Sequence, residues 1–282
     1  MPVIDAHQHF WNLEQVSYPW LTPDLAPIYR NFEPPDLEPL LRAAGVDRTV
    51  VVQAADSHAD TDAMLARVDS HPWIAAVVGW VPLNRPDEAA AAIGHYRAHP
   101  AFAGVRHLIH DDPDPDWVVR DSVIEGLRIL AAADLTFDLV GVLPRHLEHV
   151  ITLAERVPGL RMVIDHLNKP LIRERGWEPW ATLLARAAEC PTVYAKISGL
   201  NTAADPERWT AADLRPYVQH AIEVFGPQRL MFGSDWPVAN LAGDYAKVWR
   251  ETNAVLTDLR LPEPDRAAIL GETAGDFYRI TR

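Results

Sequence analysis

Short continuous runs of apolar residues recur along the chain, beginning near Val3, Val46, Trp73, Phe102, Thr136, Arg161, Thr192 and Arg229. Their spacing averages about 32 residues, the length of one strand plus one helix. The runs at residues 49–52, 75–80 and 161–164 are continuous and mostly apolar instead of alternating, as strands buried on both faces are. The segments between runs change to helical spacing. Leu37, Leu40, Leu41 and Ala44 share one face, as do Leu147, Val150, Ile151 and Ala154. Eight strand–helix units predict a parallel (β/α)8 barrel, a TIM barrel of the α/β class. Residues 264–278 add a further helix after the eighth unit, and residues 1–282 form one domain with no internal boundary.

Composition narrows the function classes. Of 282 residues, 48% are apolar, enough for a large core, and the net charge is −13 with no basic cluster. Phosphate backbones need concentrated Lys and Arg, so no nucleic-acid partner is expected. The N-terminus lacks the basic start and apolar stretch of a signal peptide, and no run has the length of a membrane span. A cytoplasmic protein without a membrane partner is the expectation. Cys190 is the single cysteine and is read as structural.

Polar residues interrupt the runs where strands should end. Strand 1 carries Asp5, His7 and His9, strand 2 Gln53, and strand 4 Arg106 and His107. Strand 5 carries Asp138, strand 6 Asp165 and His166, strand 7 Lys196 and Ser198, and strand 8 Asp235. A barrel gathers these ends into one ring, where the active site lies. Strand alternation places Asp5, His7 and His9 on one face. Two imidazoles so spaced put their nitrogens on one metal ion or one substrate atom, with Asp5 behind to orient a ring. Three long connectors, residues 11–35, 111–117 and 168–179, lie on the same side of the barrel.

The opening Asp5-Ala-His7-Gln-His9-Phe-Trp11, the strand-6 Asp165-His166-Leu-Asn-Lys169-Pro170 and the strand-8 Gly233-Ser234-Asp235-Trp-Pro resemble the amidohydrolase superfamily. Arg106-His107, the 113–117 loop and Tyr18-Pro-Trp20-Leu are similar to its amidohydrolase-2 branch of sugar lactonases, of L-fuconolactonase and L-rhamnonolactonase type. The resemblance implies that His7, His9, His166 and Asp235 are the metal set. Asp235 is implied to be the water-activating base, and Arg106 a substrate contact. Two-metal members carry a bridging Lys or Glu on strand 4 and a histidine on strand 5. Here Arg106 and Asp138 stand there, so at most one divalent ion is expected, zinc favoured, or none.

The expected reaction is hydrolysis of a small, neutral sugar-acid lactone. Asp235, His166 and Arg106 would be catalytic, and Arg106, His110, Trp117, Gln53 and Trp20 would bind substrate. A dicarboxylate lactone would call for more arginines near the strand ends than Arg106, with Arg145 and Arg173 further out. A metal-dependent non-oxidative decarboxylase and a non-catalytic binding protein are the competing readings. The sequence leaves the sugar and the oligomeric state open.

Overall fold

A computed structural model describes residues 2–280. Eight parallel strands pair in sequence order: β1 (Ile4–Gln8), β2 (Arg48–Val52), β3 (Ile74–Gly79), β4 (Phe102–His107), β5 (Thr136–Leu139), β6 (Met162–Ile164), β7 (Val193–Ile197) and β8 (Leu230–Phe232). Each begins within two residues of a predicted run. The β8–β1 seam closes beyond the strand ends, where Asp235 N donates to the His7 carbonyl (2.8 Å) and His9 N to the Trp236 carbonyl (2.7 Å). The fold is therefore the predicted TIM barrel.

The surrounding helices are α1 (Pro34–Ala44), α2 (His58–Ser70), α3 (Pro86–Tyr96), α4 (Asp121–Ala132), α5 (Pro144–Arg156), α6 (Trp180–Ala188), α7 (Ala211–Phe225) and α8 (Tyr245–Asp258). Their buried positions match the expected stripes: Leu37 and Leu41 in α1, Leu147 and Val150 in α5. Proline or a capping side chain starts several of them. Pro34 opens α1 and Pro144 opens α5, while Ser57 and Asp244 cap α2 and α8 by accepting from Asp60 N and Lys247 N. The predicted final helix is three pieces: α9 (Glu263–Ala267), a π turn (Ala268–Glu272) and α10 (Thr273–Phe277).

That last segment plugs the barrel. Ala274, Phe277 and Tyr278 pack with Ile4, Ala6, Val50, Val52, Ala76, Val78, Val163 and Met231 in an apolar cluster separate from the helix–sheet core. The opposite, C-terminal end of the strands carries the polar residues. Among the described residues, no helix is long and apolar enough to cross a membrane.

Candidate active site

Strand 1 departs from simple alternation. Its register against β2 shifts between Asp5 and Gln8, an irregularity of the β-bulge kind. Ala6 belongs to the barrel-interior cluster, yet His7 also meets interior groups. Asp5 is turned to the seam instead. Its carboxylate accepts from Ser234 N (2.8 Å), His7 N (3.2 Å) and the Tyr245 hydroxyl of α8 (3.2 Å). The expectation that Asp5 shares the face of His7 and His9 and orients a ring is thus corrected. The bulge separates them, and Asp5 braces the β1–β8 backbone. Burial pushes the Asp5 carboxyl up to about 6, against the hydrogen bonds it accepts.

The carboxylate behind His7 is Asp165. His7 Nδ1 lies 3.2 Å from Asp165 Oδ1 and 3.1 Å from Lys196 Nζ. Asp165 Oδ2 takes a hydrogen bond from Arg106 Nη1 (3.2 Å). Burial would raise Asp165, but Lys196, His7 and Arg106 outweigh it and hold the group well below the usual carboxylate range. His9 Nδ1 donates to the Val52 carbonyl (2.7 Å), which leaves Nε2 as the lone-pair nitrogen. His7 Nε2 and His9 Nε2 meet at 3.1 Å.

β6 ends at Ile164, and the chain then enters a left-handed turn rather than extending the strand. His166, Leu167, Asn168 and Lys169 have φ of 56°, 50°, 59° and 49°. Such residues cost about 1–3 kcal/mol each unless their surroundings hold them. Here Trp180 Nε1 donates to the Leu167 carbonyl (2.7 Å) and Asn168 Nδ2 to the Leu143 carbonyl (3.0 Å). The turn brings His166 and Lys169 to the same cleft. His166 Nδ1 pairs with Ser198 Oγ (2.8 Å), and burial pushes the ring down to about 3 despite Asp235 nearby. Lys169 Nζ donates to the Gly199 carbonyl (2.9 Å) and Thr202 Oγ1 (2.6 Å).

Asp235 closes the set, itself left-handed at φ 58°. Its Oδ1 lies 3.7 Å from His7 Nε2, 3.5 Å from His9 Nε2 and 3.9 Å from His166 Nε2. Its buried Oδ2 makes no hydrogen bond and reaches Lys169 Nζ only at 3.8 Å. Burial opposes ionisation, yet His166, His9, Lys169 and His7 together hold this carboxyl far below its ordinary value. A Cβ on Gly199, at φ +57°, would sit 2.5 Å from Asp235 Oδ2 and 2.7 Å from His166 Nδ1. Only glycine leaves room there for both side chains.

These donors fit one divalent ion. Zinc bonds of about 2.0–2.2 Å in a tetrahedron require ligand atoms about 3.3–3.6 Å apart. The separations of 3.1, 3.7 and 3.5 Å among His7, His9 and Asp235 bracket that range. His7, His166 and Asp235 also offer one ligand atom each within 4.8 Å of one another. A carboxylate behind a ligating imidazole, as Asp165 is to His7, is the usual outer support of such sites.

Above this floor is a cleft of about 360 Å³. His9, Arg106, His110, His166, Lys169 and Asp235 supply its polar side, and Trp20, Leu25, Val140, Val142, Val238 and Leu241 its apolar wall. Trp20 is held by its Nε1 donating to the Ala54 carbonyl (2.7 Å). Burial pushes His110 down to about 4. Arg106 Nη2 donates to the Gln53 carbonyl, while its buried Nε has no partner.

Two expected substrate contacts lie off the cleft surface. Gln53 is wholly buried behind Arg106, with Nε2 donating to Asp56 Oδ1 (2.9 Å) and the Arg106 carbonyl (3.2 Å). Trp117 is 4% exposed and stacks on His107, ring centroids 3.7 Å apart and planes 4° from parallel. Both brace the cleft wall instead of lining it. Sequence reasoning gave no role to Lys169, Asp165 or the Asp138–Lys196 pair. Asp165 and Lys169 flank His166 within its own motif, which was the available signal. The pairing across β5 and β7 had none.

The amidohydrolase family model matches residues 4–280. The chain is 42% identical over 282 residues to an L-fucono-1,5-lactonase of Burkholderia ambifaria, covering 99% of this chain and 96% of that one. It is 35% identical to an L-fucono-1,5-lactonase of Burkholderia multivorans, covering 98% and 96%. A crystal structure of an amidohydrolase from Burkholderia multivorans with bound zinc is 34% identical, with a TM-score of 0.92 and full coverage of both chains. Barrel, strand-end site and sequence agreement over nearly the full length lead to one conclusion: this chain belongs to the amidohydrolase family.

Proposed function

We propose that this protein hydrolyses a neutral sugar-acid lactone, with Asp235 as the proton-transfer group. The observation that carries this reading is the bare Oδ2 of Asp235. It is a buried, ionised carboxylate oxygen without a hydrogen bond, beside three imidazoles on the floor of the cleft. The names of the two Burkholderia relatives support the lactone.

The water oxygen bonds to the lactone carbonyl carbon while its proton passes to Asp235 Oδ2. As the ring C–O bond breaks, that proton moves to the ring oxygen, leaving a hydroxy acid. Such acid–base participation contributes about 10²–10⁴-fold. The unpartnered Nε–H of Arg106 is free to polarise the carbonyl oxygen. A divalent ion held by His7, His9, His166 and Asp235 Oδ1, zinc by preference, would supply Lewis acidity and a lowered water pKa. His110 and Trp20 contact the sugar ring. Arg106 and Lys169 are the cations at the cleft, and both are engaged by protein oxygens. That suits a neutral, hydroxylated ring better than a dicarboxylate, which would need free guanidinium pairs.

The test is a pH-indicator assay over a panel of sugar lactones, with zinc-loaded and chelator-stripped protein. Hydrolysis of neutral sugar lactones, lost on stripping and restored by zinc, is expected. Inactivity on the whole panel sinks the lactonase reading. Full activity of the stripped protein sinks the metal assignment alone.

A further inference from the structure

β2 ends at Val52, and residues 53–55 run on beyond the strand pairing, with Ala54 at the cleft. Three successive carbonyls here each hold one residue of the site. Val52 accepts from His9 Nδ1 (2.7 Å), Gln53 from Arg106 Nη2, and Ala54 from Trp20 Nε1 (2.7 Å). The first of these peptides is still held by the barrel, because Gln53 N donates to the Val78 carbonyl (2.8 Å). The next two have passed the end of the sheet. One carboxylate oxygen takes both: Asp60 Oδ2 accepts from Ala54 N (2.7 Å) and Ala55 N (3.0 Å). Asp60 Oδ1 accepts from the hydroxyl of Tyr18, two residues before Trp20 (2.9 Å).

Helix capping does not account for this carboxylate. Asp60 is the third residue of α2, where an acid ordinarily reaches back to the N–H of the capping residue. Here Ser57 N donates to the Ala55 carbonyl instead (2.8 Å), and Ser57 Oγ caps the helix by accepting from Asp60 N (3.2 Å). The Asp60 side chain is wholly buried and turned away from its own helix end, onto the segment that carries Arg106 and Trp20. A peptide group is planar, so fixing its N–H also fixes the direction of the C=O across it.

The geometry points to Asp60 as a positioning residue. It holds the Gln53–Ala54 and Ala54–Ala55 peptides by their N–H groups and so aims the two carbonyls that orient the Arg106 guanidinium and the Trp20 ring. Its effect on turnover rests on the lactonase reading, in which Arg106 polarises the carbonyl and Trp20 contacts the sugar.

The experiment compares Asp60→Ala and Asp60→Asn, each in wild-type and Arg106→Lys protein. A misplacement of about 1 Å costs about 10²-fold, so Asp60→Ala should lower kcat/KM by about that factor, with kcat falling and KM rising. Asp60→Asn should stay within about threefold of wild type, because its amide oxygen can accept from both N–H groups while its amide nitrogen donates to the Tyr18 oxygen. In Arg106→Lys protein, Asp60→Ala should lower kcat by no more than about a further threefold, since the group it positions is gone. Hydrogen exchange of the Trp20 indole N–H, assigned with Trp20→Phe, is a readout independent of activity. It should be about 10-fold faster in Asp60→Ala and unchanged in Asp60→Asn. If Asp60→Ala does not fold, Asp60→Ser takes its place and the same outcomes decide. The proposal is overturned if the Trp20 exchange rate is the same with and without the carboxylate. It is equally overturned if Asp60→Asn loses as much activity as Asp60→Ala, or if the kcat losses of Asp60→Ala and Arg106→Lys simply multiply. Should no lactone be hydrolysed, the lactonase reading fails while the exchange measurement still decides this one.

Discussion

The two halves of the barrel interior are built from the same strands and obey opposite rules. In the lower half, Ile4, Ala6, Val50, Val52, Ala76, Val78, Val163 and Met231 meet Phe277 in a dry apolar layer. In the upper half the interior holds Arg106, Asp138, Asp165, Lys196, His7, His9, His166 and Asp235, all under 5% exposed. Charges this deep persist because each has a specific partner. The lower layer stabilises through contact area and tolerates exchange of similar volumes. The upper layer depends on particular atoms at particular distances. One strand can serve both because its side chains reach both layers, and the division matches the general split between stability and catalysis in barrels.

The comparison breaks most sharply at Asp235. Asp235→Asn keeps the shape and removes the proton acceptor, so kcat should drop by about 10²–10⁴-fold with little change in melting temperature. Near-normal turnover by a folded Asp235→Asn protein would sink the assignment. In the lower half the pattern should invert. Met231→Ala leaves a cavity in a fully buried layer and should cost about 2–5 kcal/mol of stability, with kcat at 25 °C unchanged. Denaturant titration beside steady-state kinetics checks this. Loss of activity without loss of stability would erase the distinction between the halves.

The smallest effect sharpens the boundary at the cleft wall. His107 and Asp56 sit 3.3 Å apart. Burial pushes His107 down to about 4, so its contribution to stability is present above the unfolded value near 6.5 and is lost as pH falls toward 4. Burial pushes Asp56 up to about 6, so its contribution is present below its unfolded value of 3.8 and is lost as pH rises through 6. Between pH 4 and 6 the two slopes oppose each other. Asp56→Asn removes one and should make stability rise more steeply with pH, by at most about 1.4 kcal/mol per unit. Parallel pH profiles for variant and wild type would show that the pair is not coupled to folding in this way.

The barrel was legible because its signals are local. Eight apolar runs, helical stripes and polar strand ends are properties of short windows. The residues that gather at the site, His7, His9, Arg106, His166 and Asp235, could be named for the same reason. Asp5 could not be placed, because its face depends on a register shift against β2 that exists only once the strands pair. Lys169 depends on a left-handed turn of non-glycine residues, which no local preference favours. Trp117 was expected to bind substrate, but its ring is stacked on His107, a partner that only the fold brings to it.

The sequence by itself determined the eight-unit barrel, the end that carries the chemistry and most of the residues on its floor. Periodicity and residue type are written directly in the chain. Only the tertiary structure decided which carboxylate stands behind His7, which oxygen of Asp235 is bare, and that Asp138 pairs with Lys196 58 residues away. Those choices rest on atomic distances across strands that are far apart in sequence, and barrel closure sets the distances.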